Sequence, residues 1–493
     1  MQTVPELLAP GYGGPALVTV GGEVMDHGTL RRNVERLAAR LRETGLGRGD
    51  RIAIVLGNGP EMALVLLAVM SVGCAAPLNP RYREDEFRFY LDDLHARALI
   101  GVPDQSVAAR AAASDDTIAV DVTGQGLEVD LVGPATSSRA PAGDPPTEDD
   151  PVLVLHTSGT TSRPKVVPLR QRNLARSARN IADWLQLTES DRSLNVMPLF
   201  HIHGMMAGLL APLSAGGSVV CTPGFDAFAF HRWVDELAPT YYTAVPTMHQ
   251  MVLARAPKKH PTTLRFVRSS SAALPGPVRE GLSSLFDVPV VEAYGMTEAS
   301  HQMACNPLPP GASKPGSVGL ATGIQVATLG TADTLLPPGE RGEVVIKGPT
   351  VIDGYENNPE ANRSAFTDGW FRTGDEGFLD VEGYLYLTGR LKEQINRGGE
   401  KISPLEVDEV LLHHPAVAEA ITFAIPHDAL GEDVGAAVVL EAGHEVTERE
   451  LRSYLSEHLA AFKVPRRIVF VAEIPKGATG KIQRIGLADR LSL

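Results

Sequence analysis

Over the first third of the chain, segments with the helical spacing of apolar residues alternate with short apolar runs typical of buried strands. A helical period begins after Thr29, which we predict as the helix cap, and an uninterrupted apolar run at 51–56 predicts a buried strand. Further helices are predicted at 62–72 and 83–95. Strands that alternate with helices are typical of a parallel sheet covered by helices. The apolar positions of the first helix are Leu30, Val34, Leu37, Ala38 and Leu41.

The alternation returns over 152–291, and Gly- and Pro-rich turns with short strands over 307–354 predict a β-rich subdomain. The pattern changes again after Lys392, where we predict a domain boundary. The expected fold is α/β: a large N-terminal domain (1–391) of helix-covered, mostly parallel sheets plus the β-rich subdomain, and a small hinged C-terminal α+β domain (392–493). The C-terminal elements predicted are helices at 404–412 and 448–459 and strands at 421–425 and 436–440.

Charge and cysteine content narrow the function classes. The 493 residues include 45 basic and 59 acidic side chains, a formal net charge of −14, so the basic surface of a nucleic-acid-binding protein is not expected. Cys74, Cys221 and Cys305 lie far apart without C-x-x-C spacing. The sequence therefore predicts neither a disulfide framework nor a zinc site, as is usual in a reducing compartment.

One uncharged stretch, residues 62–78, raises a membrane span as an alternative. Gly73 and Pro77 interrupt it, which favours a buried helix followed by a short strand. Neither the first residues nor the C-terminal Leu-Ser-Leu has the pattern of a targeting signal. We expect a cytoplasmic monomer or homodimer that contacts neither membrane nor nucleic acid.

The strongest local motif is the segment 155–165, which follows an apolar strand. Five hydroxyl side chains, one glycine and one lysine can surround a phosphate chain with backbone N–H groups, hydroxyls and a point charge. Pro164 stands where the G-x-x-x-x-G-K-[ST] loop would require glycine. The alternative is a Ser/Thr-rich surface turn. The candidate phosphate-binding residues are Thr157, Ser158, Gly159, Thr160, Thr161 and Lys165.

A second cluster follows the apolar strand that ends near Val291. Tyr294 is suited to stack on a purine, Thr297 to bond a phosphate and Glu298 to hold Mg²⁺ through an oxygen ligand. The alternative is a strand end with a solvated Thr-Glu pair. Farther along, Asp375 is a candidate acceptor for ribose hydroxyls, with Arg390 adding charge toward phosphates, although both are also typical turn residues.

Two Gly-rich basic loops, 397–404 and 475–481, come last. Taken in order, all these motifs resemble the adenylate-forming superfamily of acyl-CoA synthetases, luciferases and peptide-synthetase adenylation domains. The resemblance extends from Gly47–Ile54 to Lys481. It implies an enzyme that joins a carboxylic acid to ATP as acyl-AMP, releases pyrophosphate with the help of Mg²⁺, and transfers the acyl group to the thiol of coenzyme A.

The resemblance also implies residue roles. The 157–165 loop would hold the β- and γ-phosphates, Thr297 the α-phosphate, and Glu298 with Thr160 the Mg²⁺. Lys481 would bridge carboxylate and α-phosphate, with Lys392 as the hinge and Gly399 lining the thiol channel. The loop departs from the family at Ser162 and Val166, where glycine is usual. The implied nucleotide residues are Ala272, Ala273, Glu292, Ala293, Tyr294 and Gly295 around adenine, and Asp375 with Arg390 at the ribose.

The acid pocket is expected to be polar. His201 matches the family's gate to the acyl and thiol channels, and the strings 242–250, 268–274 and 299–303 resemble oxalate–CoA ligases in particular. An unpaired polar group against a fatty chain is costly, so we predict a small dicarboxylate, oxalate first and malonate second. The candidate pocket residues are His203, His249, Arg268, the Ser269–Ser271 run with Ser270 foremost, and His301.

Alternatives remain open at this point. The histidines are also compatible with ordinary core or surface positions. The enzyme could activate another short aliphatic or aromatic acid, or use a non-CoA acceptor. An inactive nucleotide-binding scaffold is a different class, against which stand Lys165, Glu298, Asp375 and Lys481, all present.

Overall fold

The computed structural model describes residues 2–8, 11–134, 144–157, 164–256, 262–475, 484–491 and 493. Predicted site residues Ser158, Gly159, Thr160, Thr161 and Lys481, together with Ser162, lie outside these described residues.

Each helix that the sequence predicted is present among the described residues. The helix predicted at 404–412 has those bounds, and the one at 62–72 spans Pro60–Met70. The helices are α1 Val4–Leu7, α2 His27–Glu43, α3 Pro60–Met70, α4 Glu84–Leu94, α5 Val107–Ala112, α6 Gln171–Trp184, α7 Ile202–Met205, α8 Ala211–Ser214, α9 Phe230–Leu237, α10 Pro246–Leu253, α11 Gly276–Phe286, α12 Pro359–Ala365, α13 Pro404–Leu412, α14 Glu448–His458 and α15 Leu487–Arg490.

The described strands form four sheets. They are β1 Pro15–Thr19, β2 Val24–Asp26, β3 Arg51–Val55, β4 Cys74–Pro77, β5 Ala98–Gly101, β6 Ile118–Gln125, β7 Glu128–Val132, β8 Pro151–Thr157, β9 Lys165–Arg170, β10 Arg192–Asn195, β11 Ser218–Cys221, β12 Tyr241–Ala244, β13 Phe266–Ser270, β14 Val290–Met296, β15 His301–Cys305, β16 Leu320–Ala321, β17 Gln325–Leu329, β18 Gly342–Lys347, β19 Phe366–Thr367, β20 Trp370–Leu379, β21 Leu385–Arg390, β22 Ile395–Arg397, β23 Glu400–Ile402, β24 Val417–His427, β25 Gly431–Leu440 and β26 Arg467–Phe470.

Two large sheets build the N-terminal part. One has the order β7-β6-β5-β3-β4-β8-β9 and the other β16-β15-β14-β13-β12-β10-β11-β1-β2, and most pairs in both are parallel. A smaller antiparallel sheet holds β17 to β21, and a fourth holds β22 to β26. The α/β fold class with a β-rich region and a small C-terminal α+β unit is therefore confirmed.

The helix α3 is buried on every face, which explains its uninterrupted apolar sequence. Leu64, Leu66 and Met70 expose none of their surface within the main core. None of the helices in the described ranges is long and apolar enough to cross a membrane. The cap of α2 differs from the expectation: Asp26, not Thr29, is the N-cap, and its Oδ1 accepts the Thr29 N–H at 2.8 Å.

The last sheet has its own apolar core, which includes Ile395, Val407, Val434 and Leu451. This core begins three residues after Lys392, at β22, while β21 closes the preceding sheet at Arg390. The boundary at Lys392 itself stays a prediction.

Strand pairing brings the candidate residues to one edge. Thr243 on β12 lies beside Arg268 on β13, and Ser270 lies beside Ala293 on β14. The antiparallel return of β15 places His301 opposite Met296. Because ligands of open α/β sheets bind outside the carboxyl ends of parallel strands, this edge is where a site is expected.

Candidate active site

Lys165 and Glu298 come together around the ring of Tyr355. The Lys165 Nζ lies 4.2 Å from the centroid of that ring, and the Tyr355 hydroxyl donates to Glu298 Oε1 at 2.9 Å. Burial lowers the pKa of Lys165, Glu298 opposes that change, and the charge of Lys392 lowers the pKa further. Thr157 pairs with Lys165 at the ends of β8 and β9, so both flank the predicted phosphate loop.

A turn with strained backbone angles follows β14 and sets the direction of the Glu298 and His301 side chains. Residues 297–299 form one 3₁₀ turn, after which Ser300 and His301 adopt φ values of 54° and 94°. Positive φ is unfavourable for these residues and persists only where the surroundings fix it. The Ser300 hydroxyl donates to the Thr350 carbonyl at 2.8 Å, and Ser177 donates to the Ser300 carbonyl at 2.6 Å. The turn thereby holds Glu298 toward Lys165 and His301 toward Arg268.

The predicted nucleotide slot has exposed residues on one side and buried residues on the other. Ala272 and Ala273 are exposed after β13, whereas Ala293 and Tyr294 on β14 are buried. Gly295 carries no side chain at a bulge, where a Cβ would lie 2.0 Å from the His301 carbonyl oxygen. The backbone therefore approaches too closely there for any other residue.

Asp375 is held from both sides. The Tyr294 hydroxyl donates to its Oδ2, and Arg390 Nε donates to its Oδ1 at 2.8 Å across the β20–β21 pair. Asp375 raises the pKa of Arg390, and burial with the Asp375 charge raises that of Tyr294. Tyr294 therefore stays protonated as a donor, and the Asp375 carboxylate is fixed in place between its two donors.

The carboxyl group of Glu292, in the predicted nucleotide slot, has a raised pKa. Burial raises its pKa to about 7, opposed by the Arg279 charge and reinforced by that of Glu409. Glu409 belongs to α13, whose C-terminal neighbour His413 comes close to Gly276 at the start of α11.

Arg268 is the centre of the polar pocket. Its side chain is fully buried, a rare state for a cation. Nη1 donates to Thr243 Oγ1 at 3.0 Å, and Nη2 donates to Gln302 Oε1 at 2.8 Å. Nε has no hydrogen-bond partner among the described residues. Burial lowers the pKa of Arg268, yet a guanidinium retains its proton in proteins.

Two histidines complete this pocket. His203 Nε2 lies 3.4 Å from Arg268 Nη1, and His301 Nε2 lies 3.2 Å from Nη2. The two imidazoles stack with centroids 4.8 Å apart at an interplanar angle of 23°. His203 Nδ1 lies 3.1 Å from Ser271 Oγ. We define Arg268, His203, His301, Thr243 and Gln302 as the arginine pocket.

Two predicted pocket residues are placed differently from the expectation. His249 contacts Tyr242 OH at 3.0 Å, and Tyr242 points to the sheet face opposite Thr243 and Arg268 because successive strand side chains alternate. Burial lowers the pKa of His249 to about 3, so it is a neutral core residue there. Ser270 donates to the Ala293 carbonyl at 2.9 Å, which engages the hydroxyl hydrogen predicted for a carboxylate.

The remaining predicted residues lie around this centre. His201 is the half-buried N-cap residue of α7. A π-helical turn, a form often found at functional sites, follows α7 at Met206–Leu210. Gly399 is exposed in the turn between β22 and β23, with φ 99°. Lys392 follows β21.

Three residues of the site, Thr243, Gln302 and Tyr355, are not among those predicted from the sequence. Thr243 and Gln302 fall inside strings that resembled oxalate–CoA ligases, so that similarity was the available signal. Tyr355 gave no local signal, since it directly follows the Gly- and Pro-rich stretch and lies far from its partners along the chain. Within the described ranges, no group of three or more His, Cys, Asp or Glu side chains could hold a metal ion. Glu298 stays a predicted Mg²⁺ ligand, since this ion usually takes only one or two carboxylates plus water and phosphate oxygens.

The fold and the site are those of a nucleotide-dependent α/β enzyme. The family model described as AMP-binding enzyme matches residues 11–356, and the AMP-binding enzyme C-terminal domain matches residues 406–481. The chain belongs to the AMP-binding enzymes.

Two relatives and one solved structure extend this identification. The oxalate–CoA ligase of Arabidopsis thaliana is 46% identical, over 95% of this chain and 94% of the relative. The oxalate–CoA ligase of Saccharomyces cerevisiae is 44% identical, over 90% and 87%. The resemblance to oxalate–CoA ligases is thus confirmed. ATP-bound MatB from Rhodopseudomonas palustris is 29% identical and superposes with a TM-score of 0.90 over 99% of this chain and 98% of that one, against 0.80 for apo MatB.

Proposed function

We propose that this enzyme is an ATP-dependent, AMP-forming acid–CoA ligase whose acid is a small dicarboxylate, oxalate first and malonate second. The observation that carries the proposal is the fully buried Arg268, for which no carboxylate partner occurs among the described residues. The oxalate–CoA ligases at 44–46% identity support the same reaction class.

The energetics of a buried cation explain the choice of acid. Taking a charge out of water costs several kcal/mol unless an opposite charge and hydrogen bonds compensate it. Thr243 and Gln302 supply only neutral acceptors to Arg268. After one carboxylate of oxalate or malonate has reacted, the other still carries the negative charge that this guanidinium lacks. An alkyl acid offers no such compensation.

The first half-reaction joins two anions. The acid's carboxylate oxygen attacks the α-phosphorus of ATP, and pyrophosphate leaves. Lys165, the last residue of the predicted phosphate loop, would offset the negative charge of the phosphates. Glu298 would hold Mg²⁺, and the hydrogen bond from Tyr355 fixes the orientation of the Glu298 carboxylate. When bound, Mg²⁺ neutralises phosphate charge and helps to align the reacting groups. Lys481, outside the described residues, is proposed to bridge carboxylate and α-phosphate.

The nucleotide would be held by groups that the structure already orders. Tyr294, Ala272 and Ala273 would border the adenine, and Asp375 would accept the ribose hydroxyls. Thr297 would contact the α-phosphate from the strained turn beside Glu298. Preorganised groups need no reorganisation when the transition state forms, so their contribution to the rate is larger.

The second half-reaction requires a thiolate at the acyl carbon, from which AMP departs. We propose that residues 392–493 rotate about Lys392, so that Gly399 and its neighbours replace Lys481 at the site. Support comes from the separate apolar core that starts at Ile395. His201, at the start of α7, is proposed as the gate to the thiol channel.

A pyrophosphate-release assay with and without coenzyme A tests the proposal. The panel should contain oxalate, malonate, acetate, hexanoate and benzoate. We expect release with oxalate and, more weakly, malonate, and CoA thioester only when coenzyme A is present. A clear preference for hexanoate or benzoate would refute the dicarboxylate assignment. Pyrophosphate release without any CoA thioester would refute the acceptor, and no release with any acid would favour an inactive scaffold.

A further inference from the structure

The Gly-rich loop that is predicted to line the thiol channel is the tip of a two-stranded hairpin. Strands β22 and β23 pair Arg397 with Glu400, so Gly398 and Gly399 form a two-residue turn. Both glycines have positive φ values, 60° and 99°, which are typical of the tight turns that join antiparallel strands. A Cβ atom on Gly399 would meet no atom of the described residues within 4 Å, so this side of the turn is unobstructed.

The base and the tip of the hairpin are attached to the C-terminal unit in different ways. At the base, Ile395 and Ile402 pair with each other and are fully buried in the last apolar core. Toward the tip, β22 pairs with β25 at one register position, Arg397 opposite Gly431. A two-stranded hairpin is only marginally stable in water on its own. The geometry of the tip therefore depends on polar contacts with β25 and the residues beside it.

The Arg397 side chain connects the tip to the buried part of β25. Its Nε donates to Asp433 Oδ1 at 2.6 Å, and the Asp433 side chain is only 2% exposed. The same carboxylate oxygen accepts the N–H of Val434, a core residue with no exposed surface. Hydrogen bonds between charged groups are roughly twice as strong as those between neutral groups. Arg397 thereby takes its position from a strand that the apolar core holds in place.

The Asp433 carboxylate is ionised and has three basic neighbours. Burial would raise its pKa, but hydrogen bonds from Val434 and Arg397 and the charges of Arg397 and His427 bring it below its usual value. Arg466 Nη1 and His427 Nε2 lie 3.8 and 4.0 Å from Oδ2, farther away than Arg397 is from Oδ1. Loss of Arg397 therefore leaves a buried carboxylate without its nearest counter-charge, which is costly.

Three backbone hydrogen bonds shape the turn itself. The Asn396 N–H donates to Glu432 Oε2 at 2.7 Å, and the Asn396 side-chain oxygen accepts the Gly399 N–H at 3.1 Å. The Gly398 N–H donates to the Leu430 carbonyl at 3.0 Å. The chain around the start of β25 therefore fixes the directions of both glycine N–H groups.

We propose that Arg397 and Asp433 are positioning residues for the second half-reaction, because their ion pair holds the Gly398–Gly399 tip in the shape that admits the thiol of coenzyme A. The inference rests on the proposed function for the rotation that brings this tip to the site. It adds which side chains keep the tip in shape. The partners of the pair belong to the C-terminal unit, so we expect thiol transfer to depend on it and adenylation to be little affected.

Separate measurement of the two half-reactions tests this role. ATP–pyrophosphate exchange reports on adenylation, and single-turnover transfer from preformed acyl-adenylate to coenzyme A reports on the thioester step. The acid is the member of the panel above that gives the fastest pyrophosphate release. In Asp433→Asn and Arg397→Gln we expect thioester formation to fall roughly 10- to 100-fold and exchange to stay close to the wild-type rate.

Two further variants show whether the residues act as one unit. The double variant Arg397→Gln, Asp433→Asn should be no slower in the thioester step than the slower single variant, because both changes break the same interaction. Arg397→Lys retains the charge but not the geometry of the guanidinium, so it should recover part of the activity that Arg397→Gln loses. Fully additive losses, or no recovery with lysine, would contradict the ion pair as the cause.

Asp191→Asn is the matched control, since Asp191 is also 2% exposed and its Oδ1 accepts from Arg265 Nε at 2.8 Å. It should not change the ratio of the two rates. Equal losses in both half-reactions for Asp433→Asn would overturn the proposal, because a merely structural role lowers both. A normal thioester step in Asp433→Asn with a loss in Arg397→Gln would also overturn it, because Arg397 would then act on the ligand directly.

Amide hydrogen exchange of residues 396–402 provides a readout without any substrate. Exchange at the tip should be faster in Arg397→Gln than in the wild type and unchanged in Asp191→Asn, and equal exchange in all three would overturn the proposal. If Asp433→Asn does not fold, this measurement and the rates of the two Arg397 variants decide. A wild type that releases pyrophosphate but forms no CoA thioester refutes the proposed acceptor, whereas thioester formation that both single variants leave unchanged refutes only the role of the pair.

Discussion

The Tyr355 hydroxyl donates a hydrogen bond to Glu298 Oε1 at 2.9 Å, while Lys165 lies against the face of the same tyrosine ring. One aromatic side chain therefore orients both the proposed magnesium ligand and the proposed phosphate-binding cation. Burial and the charge of Glu298 raise the pKa of Tyr355 well above its usual range, so the phenol remains a donor at neutral pH.

Tyr355→Phe removes this donor but retains the ring under Lys165. A hydrogen bond to a charged group contributes ~1.5–3 kcal/mol, so we expect the rate of adenylation to fall at least ~10-fold. The half-saturating Mg²⁺ concentration should rise. Pyrophosphate release at varied Mg²⁺ measures both. Tyr384→Phe is the control, since Lys314 lies 4.3 Å over that ring and the residue is outside the site. Equal effects of the two substitutions would contradict the role of Tyr355.

Asp375→Asn should weaken nucleotide binding more than it slows chemistry. The substitution removes the charge that Arg390 and Tyr294 hold in place, and an amide accepts ribose hydroxyls through one oxygen only. We expect KM for ATP to rise roughly 10- to 100-fold. Isothermal titration with a non-hydrolysable ATP analogue gives the dissociation constant directly. Asp333→Asn, which loses a half-exposed ion pair with Arg372, should leave it unchanged. A normal ATP affinity in Asp375→Asn would contradict the ribose assignment.

Glu292→Gln should stabilise the nucleotide-free protein at alkaline pH. The folded-state pKa of about 7 lies above the ordinary value of 4.5, so ionisation is penalised only in the folded state. The wild type therefore loses stability as pH rises from about 4.5 to 7, and the loss is constant above that. The variant lacks this loss, and its gain relative to wild type should grow over the same window to at most ~3 kcal/mol.

Chemical denaturation at pH 5 and pH 8 measures this difference. Glu280→Gln, at a side chain 74% exposed on the same surface as Arg279, is the matched control. A stability difference between Glu292→Gln and wild type that is the same at both pH values would contradict the raised pKa.

Lys392→Pro should impair thioester formation far more than adenylation. Proline fixes φ near −65°, and a hinge must change its backbone angles between the two half-reactions. We expect at least ~10-fold loss in the thioester step and much less in pyrophosphate release. Val381→Pro, in the exposed turn between β20 and β21, controls for the effect of a proline on folding. Equal loss in both half-reactions would place the hinge elsewhere.

Local sequence signals predicted most of the framework. The uncharged run at 62–72 yielded α3 because burial on all faces leaves no polar stripe, and the 404–412 helix was bounded by Pro404 at its first turn. The motif order identified the family before any geometry was known. Helix bounds and motifs depend on residues that are close together along the chain, so a single sequence is enough to predict them.

The side-chain arrangement of the pocket could not be predicted in the same way. Whether His249 faces Arg268 depends on the side of the sheet to which α10 packs, and Ser270 bonds to Ala293 only because β14 is the adjacent strand. Tyr355 reaches Glu298 across 57 residues of chain. Such contacts are set by strand order and by the positive φ values at Ser300 and His301, which the sequence pattern did not indicate.

The second negative charge of the acid is the feature by which the pocket around Arg268 is proposed to select its substrate. Oxalate and oxamate have nearly the same size and shape, but oxamate replaces one carboxylate by a neutral amide. The decisive measurement is the ratio of their kcat/KM values for CoA thioester formation at pH 7.5 in the wild-type enzyme. A site built around Arg268 should favour oxalate by ~10³- to 10⁴-fold, because oxamate leaves the buried charge unpaired. A ratio near one, or a preference for oxamate, would contradict the account.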